Sequence, residues 1–168
     1  MKSTKPIIAI TAGDVAGIGP EVILRAIRQS ATSSVSFPVL IGHPQIFCQA
    51  ASVFGMTVAL QELTTTVQDT ANFRENVISA VTNRRILCIN PFTDAVLAAP
   101  RSRVSPEAGD AAFHYLDAAI TLAKQSAVDA IVTAPLNKEA LHLAGHHFPG
   151  HTEILAERCG ISEFAMML

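Results

Sequence analysis

Apolar residues follow two rhythms along this chain. Ile7–Thr11 (IIAIT) is a short, nearly unbroken run of β-favouring residues, and Phe37–Ile41, Arg85–Ile89 and Asp129–Ala134 repeat the pattern further on. Such runs, bounded by Gly, Pro or Asn, predict buried strands. Between them the apolar positions recur every third or fourth residue. Val22, Ile23, Ala26 and Ile27 mark a helix entered at Pro20, and Pro44–Phe54 reads as a second. Ala112, Leu116, Ala119, Ile120 and Ala123 form the buried stripe of a long third helix, with Ser105 as its N-cap and Pro106 at its first position. A short helix holding Lys138, Ala140, Leu141 and Leu143 should close at Gly145, and a last one should begin near Thr152. Thr57–Leu60 and Phe164–Leu168 read as further strands. Gln61–Asn83 is polar and without a sustained period, which predicts an irregular connection, and a second irregular stretch runs from Asn90-Pro91 to Ser105. Strands alternating with helices predict an α/β fold with a mainly parallel sheet.

Composition narrows the ligand class. The 168 residues, 49% of them apolar, suffice for one domain or for a domain plus part of another. A net charge of -2 with scattered Lys and Arg, and no basic stripe with interleaved aromatics, argues against nucleic acid and for a small molecule. The N-terminal apolar run breaks at Gly13-Asp14 and no long apolar helix follows, so neither export nor membrane insertion is indicated. Cys48, Cys88 and Cys159 are odd in number and lack C-x-x-C spacing. They read as buried free thiols, in keeping with a cytoplasmic location.

Two stretches gather the polar chemistry. In ITAGDVAGIGPEV, glycines stand between a strand and a helix, where backbone N–H groups can face a phosphate. Gly13, Gly17 and Gly19 do not make G-x-G-x-x-G, and no acidic residue closes a second strand about 20 residues later, so a dinucleotide fingerprint is disfavoured. A tight turn and a loop lining a substrate cleft both remain, with Asp14 either an Asx-turn residue or a polar wall of that cleft.

The second stretch, IVTAPLNKEALHLAGHHFPGHTEILAE, holds four of the six histidines. His142, His146 and His147 read as surface side chains. His151, after Pro149-Gly150 and before Thr152-Glu153, occupies a loop-to-helix junction where free N–H groups, an imidazole and a hydroxyl can converge on an anion. The plainer alternative is that Thr152 caps the helix with His151 just outside it. Gly145 interrupts the His142/His146 pair and no H-E-x-x-H surrounds it, so a metal site from this chain alone is not indicated. No G-x-S-x-G or cysteine in a basic cluster suggests a nucleophile.

Together the two stretches, about 120 residues apart, resemble the two signatures of the 4-hydroxythreonine-4-phosphate dehydrogenase (PdxA-type) family. The first is I-T-x-G-[DE]-x-A-G-I-G-P-[DE]; in the second a strand and T-[AG]-P lead through a Lys to G-H-T-E. SPEAGDAAFHYLDAAITLA also fits, and the resemblance is weakest between Gln61 and Val104. TAPLNKEALHLAGH is closer to the branch associated with D-threonate or D-erythronate 4-phosphate than to the vitamin B6 branch.

The resemblance implies an isocitrate/isopropylmalate dehydrogenase-like architecture in two domains, and a cytoplasmic homodimer. It implies oxidation of a secondary alcohol beside a carboxylate in a phosphorylated four-carbon hydroxy acid, with NAD and a divalent metal (Zn, Mg or Co), and loss of carbon dioxide from the keto acid. The roles attached to such a reaction are pyridoxine biosynthesis or carbohydrate acid catabolism. His151 and Thr152 inherit substrate contact; Asp14 and Lys138 match signature positions with no assigned role. Family members run to about twice this length. Residues 1–168 are thus expected to be an N-terminal portion, with the metal histidines, the phosphate-binding basic residues and most of the NAD site beyond residue 168. The alternative is a standalone, non-catalytic module that binds an acid or a partner.

Overall fold

A computed structural model describes residues 5–63 and 69–165. Five strands, β1 (Ile7–Thr11), β2 (Phe37–Ile41), β3 (Leu60–Leu63), β4 (Ile86–Ile89) and β5 (Ala130–Thr133), form one sheet in the order β3-β4-β2-β1-β5. All four pairings are parallel. The helices are α1 (Gly19–Ile27), α2 (Ser30–Val35), α3 (Pro44–Val53), α4 (Thr70–Thr82), α5 (Pro106–Lys124), α6 (Lys138–Leu143) and α7 (His151–Cys159). The α/β, mainly parallel expectation is met.

Right-handed crossovers decide which face each helix covers. The chain moves from β1 to β2 and out to β3 through α1 and α3, which pack on one another. It returns through α4 to β4, then crosses through α5 to β5, so α4 and α5 lie on the other face. Contacts agree: Arg74 of α4 reaches the Ser126 carbonyl beyond the end of α5 at 3.3 Å, and α5 packs on β1, β2 and β5. The register sets Thr11 level with Ile41 on one side and Thr133 on the other. The loops after β1, β2 and β5 therefore leave from the same, carboxyl end of the sheet.

The long helix α5 is the platform of the second face. Ser105 Oγ accepts the Ala108 N–H at 3.3 Å, Pro106 occupies the first turn, and Ala111, Tyr115, Leu116 and Ala119 are buried. Gly109 lets α6 come close. A Cβ there would stand 2.0 Å from the Ala140 carbonyl oxygen. At the opposite, amino ends of the strands Asp129 locks β5 to β1. Its N–H donates to the Ile7 carbonyl at 2.8 Å, Oδ2 accepts the Ile7 N–H at 2.7 Å, and both carboxylate oxygens meet the Arg74 guanidinium.

Several local expectations need correction. Gln61–Asn83 contains α4, whose buried side is only Phe73, Val77 and Ala80 on an otherwise polar helix, too thin a stripe to stand out. The third strand begins at Leu60 rather than Thr57, and α2 joins α1 to β2 without an apolar signal in its sequence. Phe164 and Ala165 are exposed and not in a strand, while Met166–Leu168, the rest of that expected strand, lie outside the described residues. Cys88 is buried, but Cys48 and Cys159 are exposed, all three as free thiols.

Candidate functional site

Two loops meet beyond the ends of β1 and β5. Ala12 still donates to the Ile41 carbonyl at 2.9 Å, after which Gly13 turns the chain at φ +64°. Only glycine fits there: a Cβ would stand 2.4 Å from the Pro135 carbonyl oxygen and 2.7 Å from that of Ala134. Next, Asp14 donates its N–H to the Pro135 carbonyl at 2.9 Å, and its Oδ1 accepts the Ala16 N–H at 2.9 Å. This is the Asx turn. Asp14 is 9% exposed, and burial pushes its pKa above 3.8 against the lowering effect of the Ala16 and Gly17 backbone. From outside, Ser102 donates its N–H to the Ala16 carbonyl at 2.9 Å and Arg101 pairs with Glu21, the acid at the start of α1.

On the other strand, Ala134 donates to the Thr11 carbonyl at 3.1 Å, and Asn137 Oδ1 caps α6 by accepting the Ala140 N–H at 3.0 Å. Lys138, first in α6, is exposed, and its stem passes Gly150: a Cβ there would be 3.9 Å from Lys138 Cε. Gly150 is the N-cap of α7, which therefore has no side-chain cap; His151 is its first residue, and Thr152 lies in its first turn. Thr152 is not the cap. The positive end of the helix thus carries an imidazole, a hydroxyl and one carboxylate, Glu153, whose Oε2 would lie 3.6 Å from a Cβ at Gly150.

His151 is half-buried, and burial holds its pKa below the ordinary 6.5, opposed by a hydrogen bond to the Ala134 backbone. The Ala134-Pro135 turn is thus the common neighbour of Asp14 and His151, while Lys138 and Thr152 flank Gly150. The loop after β1 leads to α1 on one face and that after β5 leads to α6, packed on α5, on the other. The carboxyl ends of adjacent parallel strands whose connections run to opposite faces are the usual ligand position in open α/β sheets, and the corner beyond β1 and β5 is the candidate crevice here.

The other histidines are less uniform than expected. His147 is exposed, and His142, also exposed, has Nε2 3.0 Å from the Phe148 carbonyl. His146 is not a solvated side chain: its ring lies 3.8 Å from that of Phe113, nearly parallel, with Nε2 2.8 Å from Asp110 Oδ1. His43, which sequence reasoning missed, is buried after β2; its Nδ1 accepts the Gln45 N–H, so Nε2–H donates to Asp94 at 3.1 Å. Its place between the glycine that follows a strand and the proline that opens a helix was the available signal.

Residues 34–168 match the family described as pyridoxal phosphate biosynthetic protein PdxA. The chain belongs to this family. The glycine loop precedes the matched span, yet curated PdxA relatives align over the entire chain. D-threonate 4-phosphate dehydrogenase of Cupriavidus necator and 4-hydroxythreonine-4-phosphate dehydrogenase of Trichlorobacter lovleyi are each 38% identical over 168 residues, covering 100% of this chain and 47% of the relative. The crystal structure of a 4-hydroxythreonine-4-phosphate dehydrogenase from Burkholderia phymatum superposes with a TM-score of 0.81 at 34% identity, covering 96% of this chain and 46% of that one. The chain spans about half the length of the curated relatives it matches.

The name dehydrogenase brings a nicotinamide cofactor and, by the resemblance above, a metal, and the residues present can be tested against both. Gly13 and Gly19 are filled by packing: a Cβ at Gly19 would stand 2.3 Å from the Ala12 carbonyl oxygen and 3.1 Å from Ala134 Cβ. Their free sides face protein, so this loop does not form the phosphate cradle of a dinucleotide fold. Among the described residues no three His, Cys, Asp or Glu side chains are grouped to hold a metal ion. The described residues thus contain neither a phosphate cradle in this loop nor a grouped set of metal ligands.

Proposed function

We propose that the protein to which this sequence belongs oxidises a phosphorylated four-carbon hydroxy acid, D-threonate or D-erythronate 4-phosphate or 4-phosphooxy-threonine. In this reading it acts as a cytoplasmic homodimer with NAD and a divalent metal, and the keto acid loses carbon dioxide. Residues 1–168 contribute the N-terminal portion of a two-domain enzyme and the part of the site that holds the acid. Metal ligands and most of the NAD site belong to the portion of the relatives that this chain does not span.

One observation supports this division above the others: His151 and Thr152 open α7 beside the β1/β5 crevice, at a helix end with no side-chain cap, where an anion would share the first turn with Glu153. His151, with its lowered pKa, is largely neutral near pH 7 and serves as a hydrogen-bonding imidazole; an anion settling against it favours its protonated form. Asp14 shapes the opposite wall, and Lys138 stands beside Gly150 as a mobile positive charge. Their work is placement, because an acid shifted by about 1 Å can lose on the order of 100-fold in rate.

Titrating the 168-residue chain with each acid phosphate while following histidine and α7 amide resonances tests the reading. Binding that moves His151 and the first turn of α7, and that weakens about tenfold or more in His151→Ala and Thr152→Ala but not in His147→Ala, is expected. Equal affinity in all variants would remove these residues from the site. Binding of unrelated phosphates as tight as the four-carbon acids would favour the non-catalytic module.

A further inference from the structure

Between α6 and α7 the chain runs through Gly145–Gly150, and this loop delivers His151 to the crevice. Its polar tie to α5 is one side chain. His146 Nε2 lies 2.8 Å from Asp110 Oδ1, and the His146 ring stacks on Phe113 with centroids 3.8 Å apart and planes 11° from parallel. The anchor is itself braced: His114, one turn further along α5, places Nε2 3.4 Å from the same Asp110 oxygen and packs its ring 5.1 Å from that of Phe92. Phe113 in turn meets Phe148 at 5.9 Å and the Arg158 guanidinium at 5.1 Å, so one aromatic residue touches both the loop before His151 and the end of the helix after it. Arg158 is held to Asp117 on α5 at 3.0 Å. Backbone bonds complete the hold: His146 N–H donates to the Leu141 carbonyl at 3.0 Å and Phe148 N–H to that of His146 at 3.1 Å.

We infer that His146 is a positioning residue for His151: clasped by Asp110 and Phe113, it fixes the Gly145–Gly150 loop on α5 and thereby sets where the His151 imidazole stands over the Ala134 turn. The proposal rests on the reading of His151 as a substrate contact. The ring does what a shorter side chain does not. It reaches Asp110 and presents a flat face to Phe113 at the same time, two directional contacts that leave the loop one height above the helix. His147, the next residue along, makes neither contact and remains exposed.

The test needs no substrate in its first arm. In the 168-residue chain with isotope-labelled histidine, the His151 imidazole is titrated, its signal assigned by its loss in His151→Asn. Lys138 and Glu153, the charged groups flanking Gly150, stay unchanged throughout. In His146→Ala the loop loses its clasp, His151 gains solvent, and its titration moves up toward 6.5 while the α5 amide signals stay in place. Asp110→Ala gives the same displacement from the other partner; His146→Gln, which still donates to Asp110, restores most of the wild-type titration. His151 titrating identically in wild type, His146→Ala and Asp110→Ala would overturn the proposal. Should His146→Ala not fold, the Asp110→Ala and His146→Gln pair decides alone, equal titrations in those two counting against the clasp. In a second arm, D-threonate 4-phosphate is expected to bind at least about tenfold more weakly to His146→Ala than to wild type. A moved titration with no binding to any form would uphold the positioning role and overturn the substrate reading instead.

Discussion

The backbone N–H of Asp14 donates to the carbonyl oxygen of Pro135 at 2.9 Å, joining the turn after β1 to the turn after β5. Because Gly13 lies against the same carbonyl, the two signature loops form one rigid corner of the crevice. A side chain at Gly13 must adopt a left-handed backbone and displace that carbonyl. Gly13→Ala is expected to destabilise the chain by roughly 1–3 kcal/mol from the backbone conformation, with more from the clash, and urea unfolding measures it. An unchanged midpoint would show that the loops do not touch.

Acid binding should depend on pH through His151. Its folded pKa is lowered, so the free protein holds a neutral imidazole at pH values where an anion would prefer a charged one. Affinity for a phosphorylated acid should therefore rise as pH falls from about 8 to about 6, with proton uptake on binding. Calorimetry in two buffers of different ionisation enthalpy reads the proton directly. His151→Asn should abolish the uptake, and an uptake that persists would assign it to another group.

The same shifts act on stability with opposite signs. Lowered His151 resists charging, so its contribution is full above 6.5 and is lost as pH falls through its folded pKa. Asp14 is raised, so its ionised form is disfavoured by folding, and acidification toward its folded pKa relieves that cost. Asp14→Asn, which keeps an acceptor for the Ala16 N–H, should be neutral or stabilising at pH 7, whereas Asp14→Ala should destabilise by roughly 1–3 kcal/mol by leaving that buried donor unmet. Equal losses in both variants would mean that the charge itself is needed.

Asp129 behaves in the usual carboxylate direction. The hydrogen bond from Arg74, then that from Ile7, holds its pKa below 3.8, so its contribution is present above that value and disappears as pH falls through the folded pKa. Being largely exposed, the Arg74 pair should contribute less than about 1 kcal/mol. Thermal melts of Arg74→Ala should show a slightly lower Tm at pH 7 and a flatter acid limb below pH 4. A loss that persists undiminished at pH 2 would point to packing rather than charge.

Turnover is a different matter from binding. On the proposed reading the metal ligands and most of the NAD site lie in the portion of the relatives that this chain does not span, and binding of the acid alone does not lower a barrier to hydride transfer. Incubating the 168-residue chain with NAD, a divalent metal and four-carbon acid phosphates is expected to give no absorbance of reduced cofactor. Sustained reduction would place the chemistry in the residues described here.

Much of this architecture was legible because its signals were local. Ile7–Thr11 and Pro20, or Ser105 and Pro106, carry run, cap and first-turn chemistry within a few residues, and the structure has them where those rules put them. His151 and Thr152 stood out by their junction, and the junction exists. What escaped depended on distant partners. α4 shows three buried side chains that become a helix face only when laid on β2 and β4, and His146 looked solvated because Asp110 and Phe113 lie on another helix. His43 was overlooked for the same reason, its Asp94 partner being supplied by a 3-10 turn with no apolar rhythm.

The pairing of β5 with β1 also bears on how the polypeptide is made. Ile7 and Asp129, bonded at the start of the two strands, are 122 residues apart in sequence. Until β5 has been made, the nascent chain must carry β1 with one side covered by β2 and the other still open. Contacts of such long range form late and slow the search for the native state, and an open apolar strand edge invites pairing with other chains. The corner built by the loops after β1 and β5, which exists only once Thr133 stands beside Thr11, thus forms later than the pairing of β1 with β2, and its assembly depends on the longest-range contacts in the sheet.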